Sequence, residues 1–437
     1  MDQRFSNIFN LTEDQAIALL KKPLGTQDGT SERYVGAAHL INFPTERSIR
    51  ALIEAVEDHT PILEHRIARR KAVESLGRLK AVQALPIIKS CLTDEDLLTV
   101  ETAVWAIGEI GTDDKSILAA IASLLQKPEL NHRIVIQTLA KFQYKPAIEG
   151  IRSFYDSEDK STASAAIAAV ARLTEDYSQM ERVVEFLQHD NVNVRRACIQ
   201  DLIDAQYVEA IRAIALAPIS IAFRLRGIRL LAQAGLALGK ITGGTSPRIR
   251  FGGRALTFAD IEPSLDRVIR DRPEDIVMVH EYDQKPSLEF TIRELYHTDF
   301  GRCYLASKTL LEEYATQAPD ALMQTYAEEA HNDYGAHFHV VKLLGLLKYQ
   351  PAYDLIVTAL NNTSPQFQKS RAAAAIALAN LGATQAIPLL QQTLNTPIFD
   401  LKYACLLALE QLGDKSSWEI VKDDPNPLIR GKVISNK

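Results

Sequence analysis

Three short stretches of this chain gather side chains that can do acid–base chemistry. Tyr296-His297-Thr298-Asp299-Phe300-Gly301-Arg302-Cys303-Tyr304 leads into one helical pattern. Glu328 to His339 leads into another and holds His331, Asn332, Asp333, Tyr334, His337 and His339. His280-Glu281-Tyr282-Asp283-Gln284 lies upstream of both. Such His, Asp and Tyr groups suit proton transfer or hydrogen bonding to a polar ligand. The bland reading is a hydrogen-bond network that holds the loops between helices. The i,i+2 spacing of His337 and His339 turns them to different faces of a helix, so no metal site is expected. No GxSxG, Walker loop or GxGxxG before a helix occurs, so no built-in nucleophile or nucleotide cradle is expected. Gly243–Ser246 and Arg250–Arg254 imitate a phosphate loop without its GK[ST] ending. Cys303, between Arg302 and Tyr304, is the one cysteine whose polar setting suits a reactive thiol.

These groups must be positioned by a repeat. Ala72-Val-Glu-Ser-Leu-Gly77-Arg-Leu79 aligns with Ala103-Val-Trp-Ala-Ile-Gly108-Glu-Ile110, 31 residues later. Between them lie a second amphipathic helix at Ala84–Ile88 and an acidic turn at Thr93–Asp96. The segment recurs at Val135–Phe142, Ala166–Leu173, Cys198–Ala205 and Gly227–Ala234. It returns at Tyr304–Leu311, Val340–Leu347, Ala374–Leu381 and Ala404–Leu412. Helix pairs repeated about every 30 residues predict an all-α, curved α-solenoid, a superhelix of stacked pairs. Residues 1–60 read as a cap and a first irregular pair, with Thr12 as N-cap and Gln15 closing a capping box. Residues 61–239 form an N-terminal repeat half. A Gly/Arg-rich loop at 240–256 follows, and 257–437 form a C-terminal half with its own cap. Helices are expected from Pro263 and from Pro286.

A curved solenoid exposes one helix of each pair on its concave side, the usual binding surface. Positions four apart share a helix face. Glu101, Trp105 and Glu109 therefore form one stripe. Equivalent positions add Arg70, Arg133, Ser164 and Arg196 to the Glu101 column. Glu74, Gln137, Ala168, Gln200 and Arg229 join Trp105. Arg78, Lys141, Arg172, Asp204 and Gln233 join Glu109. Arginines that can grip carboxylates, acids that can accept N–H bonds and one large aromatic suit a flat, conjugated ligand bearing carboxylates and ring N–H groups. The competing reading is an ordinary solvated helix face.

Composition narrows the class. The chain has 437 residues and a net charge of −6, which gives no general reason to expect nucleic acid. Four cysteines lie far apart without a CxxC pair, as expected for reduced, structural thiols in a cytoplasmic protein. No apolar run approaches the roughly 20 residues of a membrane span. The start has no basic, then apolar, signal-peptide pattern.

Read together, VWAIGEIG at 104–111, HEYDQ at 280–284, YHTDFGRCYLA at 296–306 and EEAHNDYGAH at 328–337 resemble the E/F-type phycobilin lyases of cyanobacteria. These are proteins of HEAT-like repeats, and the long single-chain phycoerythrin lyases and lyase-isomerases look most similar. The resemblance implies binding of a linear tetrapyrrole, phycoerythrobilin, and its delivery to a cysteine of a phycoerythrin α subunit as a thioether. It also implies possible isomerisation to phycourobilin and a role for a second, smaller lyase subunit. The bilin is then substrate, and no cofactor is expected. An acidic side chain would keep the central pyrrole nitrogens protonated, and Asp204 is one catalytic candidate. Asp299, Asp333, Tyr334 and His331 would serve proton transfer. Arg70, Glu74, Glu101, Trp105, Glu109, Arg133, Gln137, Arg196, Gln200 and Arg229 would line the bilin, with His280, Glu281, Tyr282, Tyr304 and His337. The alternative function is a non-enzymatic HEAT-repeat scaffold or chaperone for a protein partner. A di-iron hydroxylase on the same repeats would need several His-Glu pairs, and the chain has only His280-Glu281.

Overall fold

Local chemistry sets the helix ends. The Thr12 hydroxyl accepts from the Gln15 amide and the Gln15 side chain accepts from the Thr12 amide, so the expected capping box forms. Asp114, Asn131, Asp159, Asn191, Asp299 and Asp333 each use a side-chain oxygen to cap the helix that follows, satisfying amides that have no partner within the helix. The repeat helices also end alike. After the Leu-Gly segment, Lys80, Gln143, Gln206 and Lys348 take left-handed φ near 53°. The next amide then reaches back five residues, as in Ala81 N to Leu76 O at 3.1 Å and Tyr349 N to Leu344 O at 3.1 Å. This closure satisfies terminal carbonyls and turns the chain into the next helix.

The computed structural model describes residues 10–22, 32–241 and 256–435. Among them the regular structure is helical, with no strand. Packing divides the chain into two units, Met1–Ser178 and Gln179–Lys437. The first holds α1 (Glu13–Leu20), α2 (Glu32–His39), α3 (Glu46–Glu57), α4 (Leu63–Arg78), α5 (Leu85–Ser90), α6 (Leu97–Ile110), α7 (Lys115–Ser123), α8 (His132–Lys141), α9 (Ile148–Arg152) and α10 (Lys160–Thr174). In it, α2, α4, α6, α8 and α10 lie side by side as one row, and α3, α5, α7 and α9 back them. The apolar faces of both rows interlock in a single core running from Ala16 to Leu173. The glycine of the Leu-Gly motif sits where repeats meet. A Cβ on Gly77 would lie 2.9 Å from Ala106 of the next helix, so only glycine allows that approach.

The second unit continues with α11 (Met180–Glu185), α12 (Val192–Asp204), α13 (Ile211–Leu216), α14 (Ile221–Ile241), α15 (Phe258–Arg270), α16 (Leu288–Glu294), α17 (Phe300–Glu313), α18 (Ala318–Thr325) and α19 (Tyr334–Leu346). It ends with α20 (Tyr353–Asn361), α21 (Gln368–Asn380), α22 (Ile387–Thr393), α23 (Phe399–Gln411), α24 (Trp418–Val421) and α25 (Pro427–Ser435). Here α17, α19, α21 and α23 form the row, and α15 lies across it against α21, α23 and α25. Lys432 holds it there by hydrogen bonds to Glu262 at 2.8 Å and Asp266 at 2.9 Å. The alanine-rich α21 is accordingly buried on nearly every side.

Three sequence expectations change. The packing boundary falls after Ser178, not at the 240–256 loop, because α15 beyond the loop packs on α13 and α14 before it. That loop lies outside the described residues from 242 to 255, while Lys240 and Ile241 continue α14. The helix expected from Pro263 begins at Phe258. A second capping box, Thr257 with Asp260, starts it, and Pro263 rides inside.

Candidate functional site

In the first unit, the row brings the predicted stripe together. Arg70 and Glu74 on α4, Glu101, Trp105 and Glu109 on α6, and Arg133 and Gln137 on α8 are all half-buried. Their helices are immediate neighbours. Glu101 accepts from the Asn131 amide at 3.0 Å. Lys141 bonds Glu109 at 3.0 Å. Arg133 donates to the Ser161 carbonyl at 2.5 Å. Tyr34, Ile67, Arg70, Leu98 and Glu101 line a groove of about 250 Å³. Leu98 is 53% exposed, and Lys71 lies 5.2 Å over the Tyr34 ring. The columns stop short at α10. Ser164 is 0% exposed and Ala168 3%, because the small residues of α10 pack on every side. Tyr34 and Lys71 were missed, since α2 carries no Leu-Gly motif and Lys71 falls one position off the stripe.

In the second unit, α12 and α14 form a relay. Arg226 donates to the Gln200 carbonyl oxygen at 2.9 Å, and Gln200 donates to Asp204 Oδ1 at 2.7 Å. A half-buried carboxylate is thus held in place by a guanidinium one residue removed. Arg196 donates to the Thr298 carbonyl at 3.2 Å and lies 5.4 Å over Phe223. Arg229 stacks at 4.3 Å on Phe399 beside Asp400. Arg226 escaped the sequence columns because it sits three positions before Arg229.

His280 and Asp299 form a dyad. The His280 Nε2 lies 3.0 Å from Asp299 Oδ2. The other Asp299 oxygen accepts from the Gly301 amide at 2.8 Å and from the buried Arg195. Burial opposes the charge, but the His280 ring, the Gly301 amide and Arg195 outweigh it and hold the Asp299 carboxyl below the usual range. Asp299 is therefore suited to orienting an imidazole, not to shuttling a proton itself. His280 is partly exposed, and its Nδ1 is left to act as a base. Glu281 is exposed. Tyr282 is half-buried against Phe290, and burial pushes its phenol up to about 12.

Several predicted contacts have other work. Tyr304 is 0% exposed. Its hydroxyl donates to Asp271 at 2.7 Å and accepts from Arg224 at 2.6 Å, so it serves the core and does not face substrate. Asp333 spends one oxygen on the Gly335 and Ala336 amides as the cap of α19. Tyr334 is 61% exposed. His331 is exposed, with Nδ1 at 3.0 Å from the Tyr326 carbonyl in a π-helical turn. His337 is 1% exposed, between Tyr326 and Phe367. Burial lowers its imidazole to about 4, so it is neutral and enclosed. Cys303 is likewise no reactive thiol: burial pushes it up to about 12, and its Sγ donates to the His297 carbonyl at 3.2 Å. All four cysteines are buried, and none is in a disulfide with another described residue. Among the described residues no group of three His, Cys, Asp or Glu could hold a metal, and no helix is long and apolar enough to cross a membrane.

Paired helices, the glycine contact and the shared helix ending define a HEAT-repeat protein. The chain matches the HEAT repeats family over residues 49–140 and the PBS lyase HEAT-like repeat over residues 370–396. It is 52% identical, over 99% of both chains, to the uncharacterized phycocyanin operon protein Y of Pseudanabaena tenuis. It is 32% identical to the bilin biosynthesis protein CpeY of Synechococcus sp. (strain WH8020), over 89% of this chain and 91% of that one. The solved complex of CpcE and CpcF of phycocyanin lyase from Nostoc sp. is similar at 24% identity and a TM-score of 0.47, covering 60% of this chain and 96% of that one. The chain belongs to the E-type bilin lyase family, in the branch of CpeY and phycocyanin operon protein Y.

Proposed function

We propose that this chain is a phycobilin lyase that joins phycoerythrobilin, through a thioether, to a cysteine of a phycoerythrin α subunit. Isomerisation to phycourobilin is a further step that the same groups can serve. The observation that carries this reading lies within the second unit: the Asp204 carboxylate held by Gln200 and Arg226, beside the His280–Asp299 dyad, with the half-buried Arg196 and Arg229 on the same two helices as the relay. Family membership supports it, since the CpeY relative is named for bilin biosynthesis.

The chemistry is an addition in which nothing leaves. The acceptor thiol gives up its proton to a base, for which the His280 imidazole is oriented by Asp299. The sulfur bonds to the ethylidene carbon of the bilin, the π pair moves into the ring, and a proton returns to the adjacent ring carbon. Asp204 keeps the pyrrole nitrogens protonated and the ethylidene electrophilic. Arginines hold the propionates as bidentate pairs. Isomerisation moves one proton from carbon to carbon and needs no oxidant. Holding both reactants together is itself a large part of the acceleration.

Titrating the purified chain with phycoerythrobilin tests this reading by absorbance. A red-shifted, sharpened band that saturates with one bilin per chain is expected. An unchanged bilin spectrum would leave the HEAT-repeat scaffold, which needs no coloured ligand. The name of the Pseudanabaena relative favours a phycocyanin subunit as the competing acceptor. The transfer reaction should therefore be run with both acceptors, with and without a second, smaller lyase subunit.

A further inference from the structure

The second unit holds an ammonium that makes no ion pair among the described residues. Lys369, at the start of α21, places its Nζ 4.7 Å from the ring centre of Phe300, 5.3 Å from Phe338 and 5.7 Å from Tyr334. Those rings come from α17 and α19, so two neighbouring helices build the shelf. No carboxylate lies within ion-pair distance of Lys369 among the described residues. Asp333, the nearby acid, spends one oxygen on capping α19 and lies beyond ion-pair distance of Lys369. His339 rests on the same two rings, 4.9 Å from Phe300 and 5.1 Å from Phe338. It is 0% exposed, and neither of its ring nitrogens has a hydrogen-bond partner among the described residues. Burial keeps that imidazole neutral and pulls the Lys369 ammonium down to about 8.

Buried polar groups in native proteins are almost always paired. An ammonium on an aromatic shelf beside an unpartnered imidazole is an arrangement that a bound anion would complete. The shelf opens outward at Tyr334, which is 61% exposed and offers a π face. One point charge next to a stacking surface suits a single carboxylate carried by a flat, conjugated molecule.

We propose that Lys369 takes one propionate carboxylate of the bilin, while the exposed face of Tyr334 stacks on the ring that carries it. This rests on the bilin-lyase reading above and adds a contact that lies outside the repeat columns. The arrangement also gives Tyr334 a stacking role in place of proton transfer.

Binding of phycoerythrobilin and of its dimethyl ester, measured by absorbance titration, tests the proposal. The wild-type chain should prefer the free acid. In Lys369→Met that preference should drop about tenfold or more, the usual worth of a charged hydrogen bond, with ester binding unchanged. Lys369→Arg should keep most of the preference. Tyr334→Ala should weaken acid and ester alike, by roughly two- to tenfold. Lys369→Met removes a half-buried charge that makes no ion pair among the described residues, so its thermal midpoint should not fall. An acid-to-ester ratio that is the same in Lys369→Met as in wild type would overturn the assignment while leaving bilin binding intact. A wild-type chain that bound neither form would overturn the lyase reading, and this contact with it.

Discussion

Replacing Asp271 with alanine is expected to cost the second unit about 3–5 kcal/mol, the usual loss when one partner of a buried ion pair is removed. The carboxylate stands at the centre of four repeats. Arg224 of α14 pairs with one oxygen, Lys342 of α19 bonds the other at 2.9 Å, and the Tyr304 hydroxyl of α17 donates at 2.7 Å. Arg224 also donates to the Ala215 and Ile219 carbonyls, each at 3.0 Å. Every member is less than 5% exposed, so Asp271→Ala strands two cations away from water. Replacing Arg224, Asp271 and Lys342 together with apolar residues should cost much less, because no buried charge then remains unpaired. Whole domains are stable by only about 5–15 kcal/mol, so the single variant should unfold in markedly less urea. Trp105 and Trp418 are the two tryptophans, one in each unit. In a Trp105→Phe background, Trp418 fluorescence reports the second unit. A urea midpoint unchanged by Asp271→Ala would contradict the network's role.

The same carboxylate gives acid sensitivity a sign. Burial opposes its charge, but Lys342 and Arg224 outweigh burial and hold it below the ordinary range. The unfolded chain therefore binds this proton more readily than the folded one. Its contribution is fully present above the unfolded carboxylate value, near 4, and is lost as pH falls through the folded value. In Asp271→Asn this part of the acid limb should be missing.

The second large effect concerns activity. Asp204→Asn is expected to lower the rate of bilin transfer by about a hundredfold, a typical worth of a positioned acid or base, while stability rises slightly. Asp204 is the last residue of α12, where a carboxylate opposes the helix dipole by about 0.3–1 kcal/mol. Such a residue costs stability where it stands, and the Arg226–Gln200 relay holds it there nonetheless. Transfer rate and thermal midpoint, measured on one preparation, should move in opposite directions. A variant with wild-type transfer would remove Asp204 from the mechanism.

What the sequence displayed and what it hid follow from the same physics. Neighbouring repeats touch through a fixed segment, so Leu-Gly recurs and the helices can be counted from it. Thr12-x-x-Gln15 announces its cap because both partners lie within four residues. The start of α15 was hidden, since Pro263 is a stronger local mark than Thr257 with Asp260. The lie of α15 across α21, α23 and α25 joins residues such as Lys432 and Asp266, far apart in the chain, and no local period records such contacts. Its one trace is the run of alanines in α21, which needs burial on both sides. In the site, the Trp105 stripe was legible because every fourth residue shares a face. The enclosure of Tyr304, His337 and Cys303 was not, because polar residues near a helix start look alike whether they face solvent or a buried ion pair. Lys369 carried no mark at all, being off the stripe and in a helix of small residues.

Transfer to an acceptor tests the central claim most directly. The chain, phycoerythrobilin and a phycoerythrin α subunit without chromophore should be combined, and the acceptor's mass and acid-denatured absorbance followed in time. The account predicts that one cysteine gains the mass of one bilin, faster and with fewer side products than in the same mixture without the chain, and that His280→Ala and Asp204→Asn slow the gain. The same rate and the same product mixture with and without the chain would contradict it.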